Sequence, residues 1–542
     1  MNSSLQSVIL LALLFSGICF AGCTTAPSSG TDVPESQSYI ASSSPAAGRL
    51  NDTIAQFDRH AQNAMLKWNV PGMAVAIVKD GEIIFARGYG VKTAGGSDPV
   101  TTDTVFQIGS TSKAFTAALA AMEVDSGRMN WTDPVIRYLP DFQMNDPWVT
   151  KEFTITDTLS QRSGLDEKWG TDLARLGYNR SEIIHALRYA EPISSFRSEY
   201  AYQNIPFMVT AAAVEKTSGK SWEENLEARI FTPLHMESAS TSYEAFLSAP
   251  DHATLHMLGL LPDGTLGPVL IDPGWEFNNV TYTLGPAGGI NADVKDMAAW
   301  AIFQLGDGTF EGKLLISPEN MAYMHSPRTP VADVMTDSMD YYCLGWNYRE
   351  VNATPPVVHH TGETPGHHAV VYLVPRENLG IVVLANEAGP SLPEDVADGF
   401  YRLYFGKALP ENGADDQDLL QRIKALLHPR KAPRPDNPAA PLPLTEYTGS
   451  YTNNAYGTAT VAEADGNLTL TFGKKPVVTI RLAPWDGNTF HATCPEWAWG
   501  PGYDGTVAFD TAPGGTVRQV TAPLFIEGVL QRNVTFLWAG PA

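Results

Sequence analysis

Three short stretches hold residues able to make and break an acyl bond. The first is Gln107-Ile-Gly-Ser110-Thr-Ser-Lys113. Apolar residues at Ala114, Phe115, Ala118, Leu119 and Met122 follow at helical spacing, and Ser126-Gly127 ends the run. This predicts a helix starting near Ser110, with Lys113 one turn on and on the same face. Backbone amides at a helix start favour negative charge on a serine oxygen or its tetrahedral adduct. A desolvated amine beside that serine can take or relay the hydroxyl proton. Alone, Ser-x-x-Lys fits an N-cap and a solvated first-turn lysine equally well.

The second stretch, Ser198-Glu-Tyr-Ala-Tyr202-Gln-Asn204, precedes a helical run from Ile205. The Tyr202 phenol, poised beside an ammonium, suits a general base, and Asn204 can orient Lys113 and donate to a substrate amide. The third is Val357-Val-His-His360-Thr361-Gly362-Glu363-Thr-Pro-Gly366, read as a glycine-rich turn before a strand from Ala369. Such a turn lets a substrate backbone come close. One N–H from this strand, with that of Ser110, would form an oxyanion hole. His360 suits proton transfer or the binding of a substrate carboxylate. Four histidines crowd here (His359, His360, His367, His368), but adjacent histidines on a strand point to opposite faces, and no Asp or Cys stands at ligand spacing. The expectation is no metal and no cofactor.

The elements that must position these residues are legible in outline. Met73–Val78 and Ile83–Gly88 flank Asp80-Gly81, a hairpin signal, and Ala369–Val374 and Gly380–Ala385 repeat the pattern far along the chain. Helical runs lie between, including Ala114–Asp125 and Ile205–Thr217, and an amphipathic run, Ile54–Trp68, comes first. Strands, helices, then strands imply an α+β domain with one antiparallel sheet drawn from both ends of the body. A proline-dense break at 428–443 separates it from short alternating runs over 444–542, read as an all-β barrel.

The chain has 542 residues, too many for one ordinary domain, and a formal net charge of -23 that argues against a nucleic-acid partner. Residues 1–22 carry no charge and end in Phe20-Ala21-Gly22-Cys23. They read as an export signal, followed by a Ser/Thr/Pro/Gly-rich tether over 23–50 and a catalytic domain over 51–427. Cys343 and Cys494, the cysteines outside the leader, read as two separate buried thiols, with an exported setting permitting a bond between them.

Together, Ser-x-x-Lys, Tyr-x-Asn and His-Thr-Gly in this order resemble the serine β-lactamase and DD-peptidase superfamily, with spacings similar to its class C branch. Asn69-Val-Pro-Gly72 resembles its opening strand and Pro286-Ala-Gly-Gly-Ile290 its Gly-Gly turn. Leu159-Ser-Gln161-Arg-Ser-Gly-Leu165 resembles its Leu-Leu-x-His-x-Ser-Gly-Leu, with Gln161 in place of the histidine. The C-terminal module resembles the lipocalin-like domain appended to some of these hydrolases. The resemblance implies a β-lactamase/transpeptidase-like fold and Ser110 as the acylated nucleophile. Lys113 and Tyr202 would share its proton, and Asn204 would position substrate. His360, Thr361 and Gly362 would line the opposite wall, and the N–H groups of Ser110 and Glu363 would bind the oxyanion. The leader resembles a bacterial lipoprotein box with Cys23 as the lipid-bearing residue, hence a membrane held only by a lipid anchor. Dedicated β-lactamases usually have lysine where His360 stands. An esterase or D-amino-acid peptidase is therefore expected ahead of a β-lactamase or DD-carboxypeptidase, and all of these ahead of a non-catalytic envelope sensor. The substrate would be a small molecule or peptide with an ester or amide bond.

Overall fold

The computed structural model describes residues 47–409 and 434–541, apart from 262, 264, 332–337, 352–353, 475–476, 494–504 and 527–529. The leader with Cys23, the tether up to residue 46, and Cys494 lie outside the described residues.

The larger body is built on an antiparallel sheet of eight strands. These are β1 (Gly72–Lys79), β2 (Glu82–Gly90), β3 (Thr329–Val331), β4 (Ser338–Tyr342), β5 (Asn347–Val351), β6 (Val357–Glu363), β7 (His368–Val374) and β8 (Leu379–Ala385). Their order is β2-β1-β8-β7-β6-β5-β4-β3. The β1–β2 turn has Asp80 and Gly81 both at positive φ (55° and 84°), the backbone that matches a two-residue hairpin to the strand twist. β1 pairs with β8, Met73 opposite Ala385 and Lys79 opposite Leu379, so the sheet does join the two ends of the body.

β1 is buried almost throughout because both faces are covered. Met73, Val75 and Ile77 pack on one side with Phe57 of α1 (Ala47–Trp68) and Phe400 of α6 (Leu392–Tyr404), whose rings meet at 5.2 Å. Ala74, Ala76 and Val78 face the other way, into the core shared with α2 (Ser112–Asp125), α3 (Thr171–Arg175), α4 (Ile205–Ser218) and α5 (Val294–Leu305). α2 is buried from Ser112 to Glu123, as its run of alanines requires: small residues let neighbours approach on every side. Phe115 stacks on Trp300 of α5 at 3.7 Å, fixing the depth at which α2 sits.

The C-terminal module is a closed barrel of eight strands. They are β9 (Gly449–Asn453), β10 (Gly457–Ala464), β11 (Asn467–Phe472), β12 (Val478–Asp486), β13 (Thr489–Thr493), β14 (Gly505–Thr511), β15 (Val517–Ile526) and β16 (Leu530–Gly540). Each pairs with the next, and β9 pairs with β16 to close the ring.

Candidate active site

Ser110 does not cap α2 through its side chain; it lies in a single 3-10 turn, Gly109–Thr111, that feeds the helix at Ser112. Gly109 has φ 52°, and a Cβ there would fall 2.5 Å from the backbone N of Glu363. A Cβ on Gly362 would fall 2.0 Å from the Ile108 carbonyl oxygen and 2.9 Å from the backbone N of Ser110. Two glycines therefore let the turn that carries Ser110 and the end of β6 meet backbone to backbone. The segment Val357–Glu363, read from sequence as a turn, is in fact this strand: Gly362 is there for close approach, and the chain turns only after Glu363.

Lys113 is fully buried. Its Nζ donates to Ser110 Oγ at 3.0 Å, to Asn204 Oδ1 at 2.7 Å and to the Ala287 carbonyl at 2.9 Å. The last two partners can only accept, so they hold two hydrogens of the amine in place. The third position on Nζ faces Ser110 and suits either a proton or a lone pair. Tyr202 lies across the same group, its ring centroid 4.6 Å from Nζ.

Asn204 is aimed by its other end, Nδ2 donating to Thr171 Oγ1 at 3.3 Å. Gln161 grips the same loop in two directions, Nε2 to the Gln203 carbonyl at 3.0 Å and Oε1 from the Gln203 amide at 2.6 Å. The Tyr202 carbonyl accepts from the Lys168 amide at 2.8 Å.

On the facing wall, His360 is almost wholly buried. Its Nδ1 lies 2.5 Å from the Thr361 carbonyl, which can only accept, so Nδ1 carries the hydrogen. Its Nε2 then accepts from the Tyr342 hydroxyl at 3.0 Å. Desolvation, with help from the Lys113 charge, pushes its pKa down to about 3. The ring is neutral and both nitrogens are occupied. So held, the His360 ring lies 6.4 Å from that of Tyr202, on the strand side of the same group of residues. Thr361 and Gly362 follow it along β6. The Glu363 carboxylate accepts from the Gly389 amide at 2.7 Å.

The other histidines disperse. His359 meets the Tyr372 ring at 5.1 Å, tilted by 59°, on the opposite face of the sheet, His367 accepts from the Gln107 amide at 2.8 Å, and His368 pairs with Glu394 at 2.9 Å. Cys343 is a free buried thiol that donates to the His325 carbonyl at 3.3 Å. Sequence reasoning missed Thr171, Tyr342 and the Ala287 carbonyl; a carbonyl leaves no residue-type signal.

A beta-lactamase family model matches residues 57–404, and a domain of unknown function, DUF3471, matches 433–534. An unguisins hydrolase of Aspergillus campestris is 30% identical over 420 residues, 73% of this chain and 75% of its own. Another, from Aspergillus violaceofuscus, is 27% identical over 479 residues, 81% and 82% of the two chains. Protein flp of Staphylococcus aureus is 26% identical over 346 residues, 64% of this chain and 65% of its own. Among solved structures, the octameric penicillin-binding protein homologue from Pyrococcus abyssi shares the fold, with a TM-score of 0.57 at 20% identity over 89% of this chain and 99% of that one. The sheet, the helices and the matched segment agree: the chain belongs to the beta-lactamase family, with a closed β-barrel after its β-lactamase/transpeptidase fold.

Proposed function

We infer that the protein is a serine hydrolase working through an acyl-enzyme on Ser110, an esterase or D-amino-acid peptidase in preference to a β-lactamase. The observation that carries this is the aim of Lys113. With two hydrogens held by Asn204 and Ala287, a neutral Nζ turns its lone pair to Ser110 Oγ. It takes the hydroxyl proton as Oγ bonds to the substrate carbonyl carbon. The oxygen of the tetrahedral adduct gathers charge where the Ser110 and Glu363 amides would hold it. Collapse breaks the ester or amide bond, and the leaving alcohol or amine departs with a proton relayed by Lys113 and Tyr202. Water then attacks the Ser110 ester, releasing the acid and restoring the hydroxyl.

The preference over β-lactams rests on the other wall. A β-lactam carboxylate calls for a cation, and His360 is neutral with its N–H already given to Thr361. The test is a fluorophosphonate label on wild type and Ser110→Ala, followed by a p-nitrophenyl acyl ester, a D-amino-acid amide and a chromogenic cephalosporin. Labelling of wild type alone, with turnover of ester or amide, supports the reading. No labelling of either points to a binding protein, and rapid cephalosporin turnover reverses the ranking. Export and lipidation at Cys23 belong to the same proposal: Cys23→Ser should move the protein from the membrane to the soluble fraction.

A further inference from the structure

Among the described residues, bulky side chains pack together in the interior of the barrel. Tyr447, Phe490 and Phe509 meet ring to ring at 4.8 to 5.4 Å, and Leu468, Leu470, Ile480, Val520 and Phe536 are buried around them. One part of the barrel's outer surface is built into the larger body. In the turn between β9 and β10, Asn453 Oδ1 accepts from the amides of Ala455 (2.8 Å) and Tyr456 (3.1 Å), fixing the turn. Tyr456 is buried, and its hydroxyl donates to Asp172 Oδ2 of α3 at 2.7 Å. From the far end of β11, the Lys474 amide donates to the Leu176 carbonyl at 2.8 Å. Its ammonium pairs with Glu182 and sits 4.6 Å above the Tyr178 ring.

The segment held this way is the one that aims the catalytic loop. Thr171, next to Asp172, takes the Asn204 amide, and Lys168 holds the Tyr202 carbonyl. α3 spans five residues, Thr171–Arg175, and its N-cap, Gly170, brings no side-chain cap. A helix so short has no stability of its own, so its place is set by what grips it. We propose that Tyr456, through Asp172 and Thr171, is a positioning residue for Asn204 and Lys113, which makes the barrel a working part of the catalytic centre.

This rests on the acyl-enzyme reading, and the test separates the two. In the full chain, active sites are titrated with fluorophosphonate, and ester turnover per titrated site is followed for Tyr456→Phe, Thr171→Val and the double variant. The expected result is a fall of about tenfold or more in kcat for Tyr456→Phe, with KM nearly unchanged. The double variant should be little worse than the poorer single, since both break one chain of contacts. Lys474→Ala, at a more exposed point of the grip, should lose about threefold and decides the matter if Tyr456→Phe folds too poorly to titrate. Wild-type kcat per site in Tyr456→Phe or, failing that, in Lys474→Ala overturns the inference, as do fully additive losses. With Ser110→Ala unlabelled, such a result leaves the acyl-enzyme standing.

Discussion

The two walls of the cleft are both buried, yet they are built on opposite plans. On the helical side, Lys113 Nζ meets the Asn204 Oδ1 and the Ala287 carbonyl, which can only accept, and the Ser110 hydroxyl, which can also give a proton. On the strand side, His360 is held between a carbonyl that must accept and a Tyr342 hydroxyl that then donates, which fixes one tautomer. Burial alone would disfavour charge on either group. The two differ in their partners: the lysine meets a hydroxyl that can take or return a proton, and the imidazole has an acceptor on one nitrogen and a donor on the other.

The comparison breaks most visibly at Lys113. Lys113→Met removes the movable proton, and ester acylation followed by stopped flow should drop about a thousandfold. A drop below about tenfold would make the two walls equivalent. Asn204→Ala keeps the amine but frees one of its hydrogens, and the same measurement should show about a hundredfold loss.

On the strand side, Tyr342→Phe leaves His360 Nε2 without a donor. Urea unfolding should report about 1–3 kcal/mol less stability, with acylation close to wild type. The smallest effects are in pH. His360, lowered to about 3, favours the folded state above its ordinary 6.5, and that contribution is lost as pH falls toward about 3. His368 is the reverse. Desolvation pulls its pKa down, but Glu394 and Glu363 outweigh this and raise it to about 9, so its contribution is present below 6.5 and lost as pH rises through about 9. In Tm measured against pH, His360→Asn should flatten the acid limb and His368→Gln the alkaline one.

Much of this was legible in the chain. The hairpin at Asp80-Gly81, the helix after Ser110 and the alternating strands of the barrel follow local patterns that the structure keeps. The pairing of Ser110 with Lys113 also follows, because a 3-10 turn leading into a helix keeps side chains three residues apart on one side. What escaped depends on long-range contact. Thr171, Tyr342 and Tyr456 gain their roles from Asn204, His360 and Asp172, partners that no local period reveals. Gln161 stood out as a departure from the family's histidine, but its double grip on Gln203 required the fold. The end of β6 was misread because glycine and proline near Gly362 look like a turn when the neighbouring Ile108 carbonyl is out of sight.

The central claim is that substrate carbon becomes bonded to Ser110. Acid-quenching a reaction with a slow ester and sequencing the peptides by mass spectrometry tests it directly. The account predicts the added acyl mass on the peptide holding Ser110, absent in Ser110→Ala. Turnover with no acylated peptide, or with the mass on another residue, would contradict it.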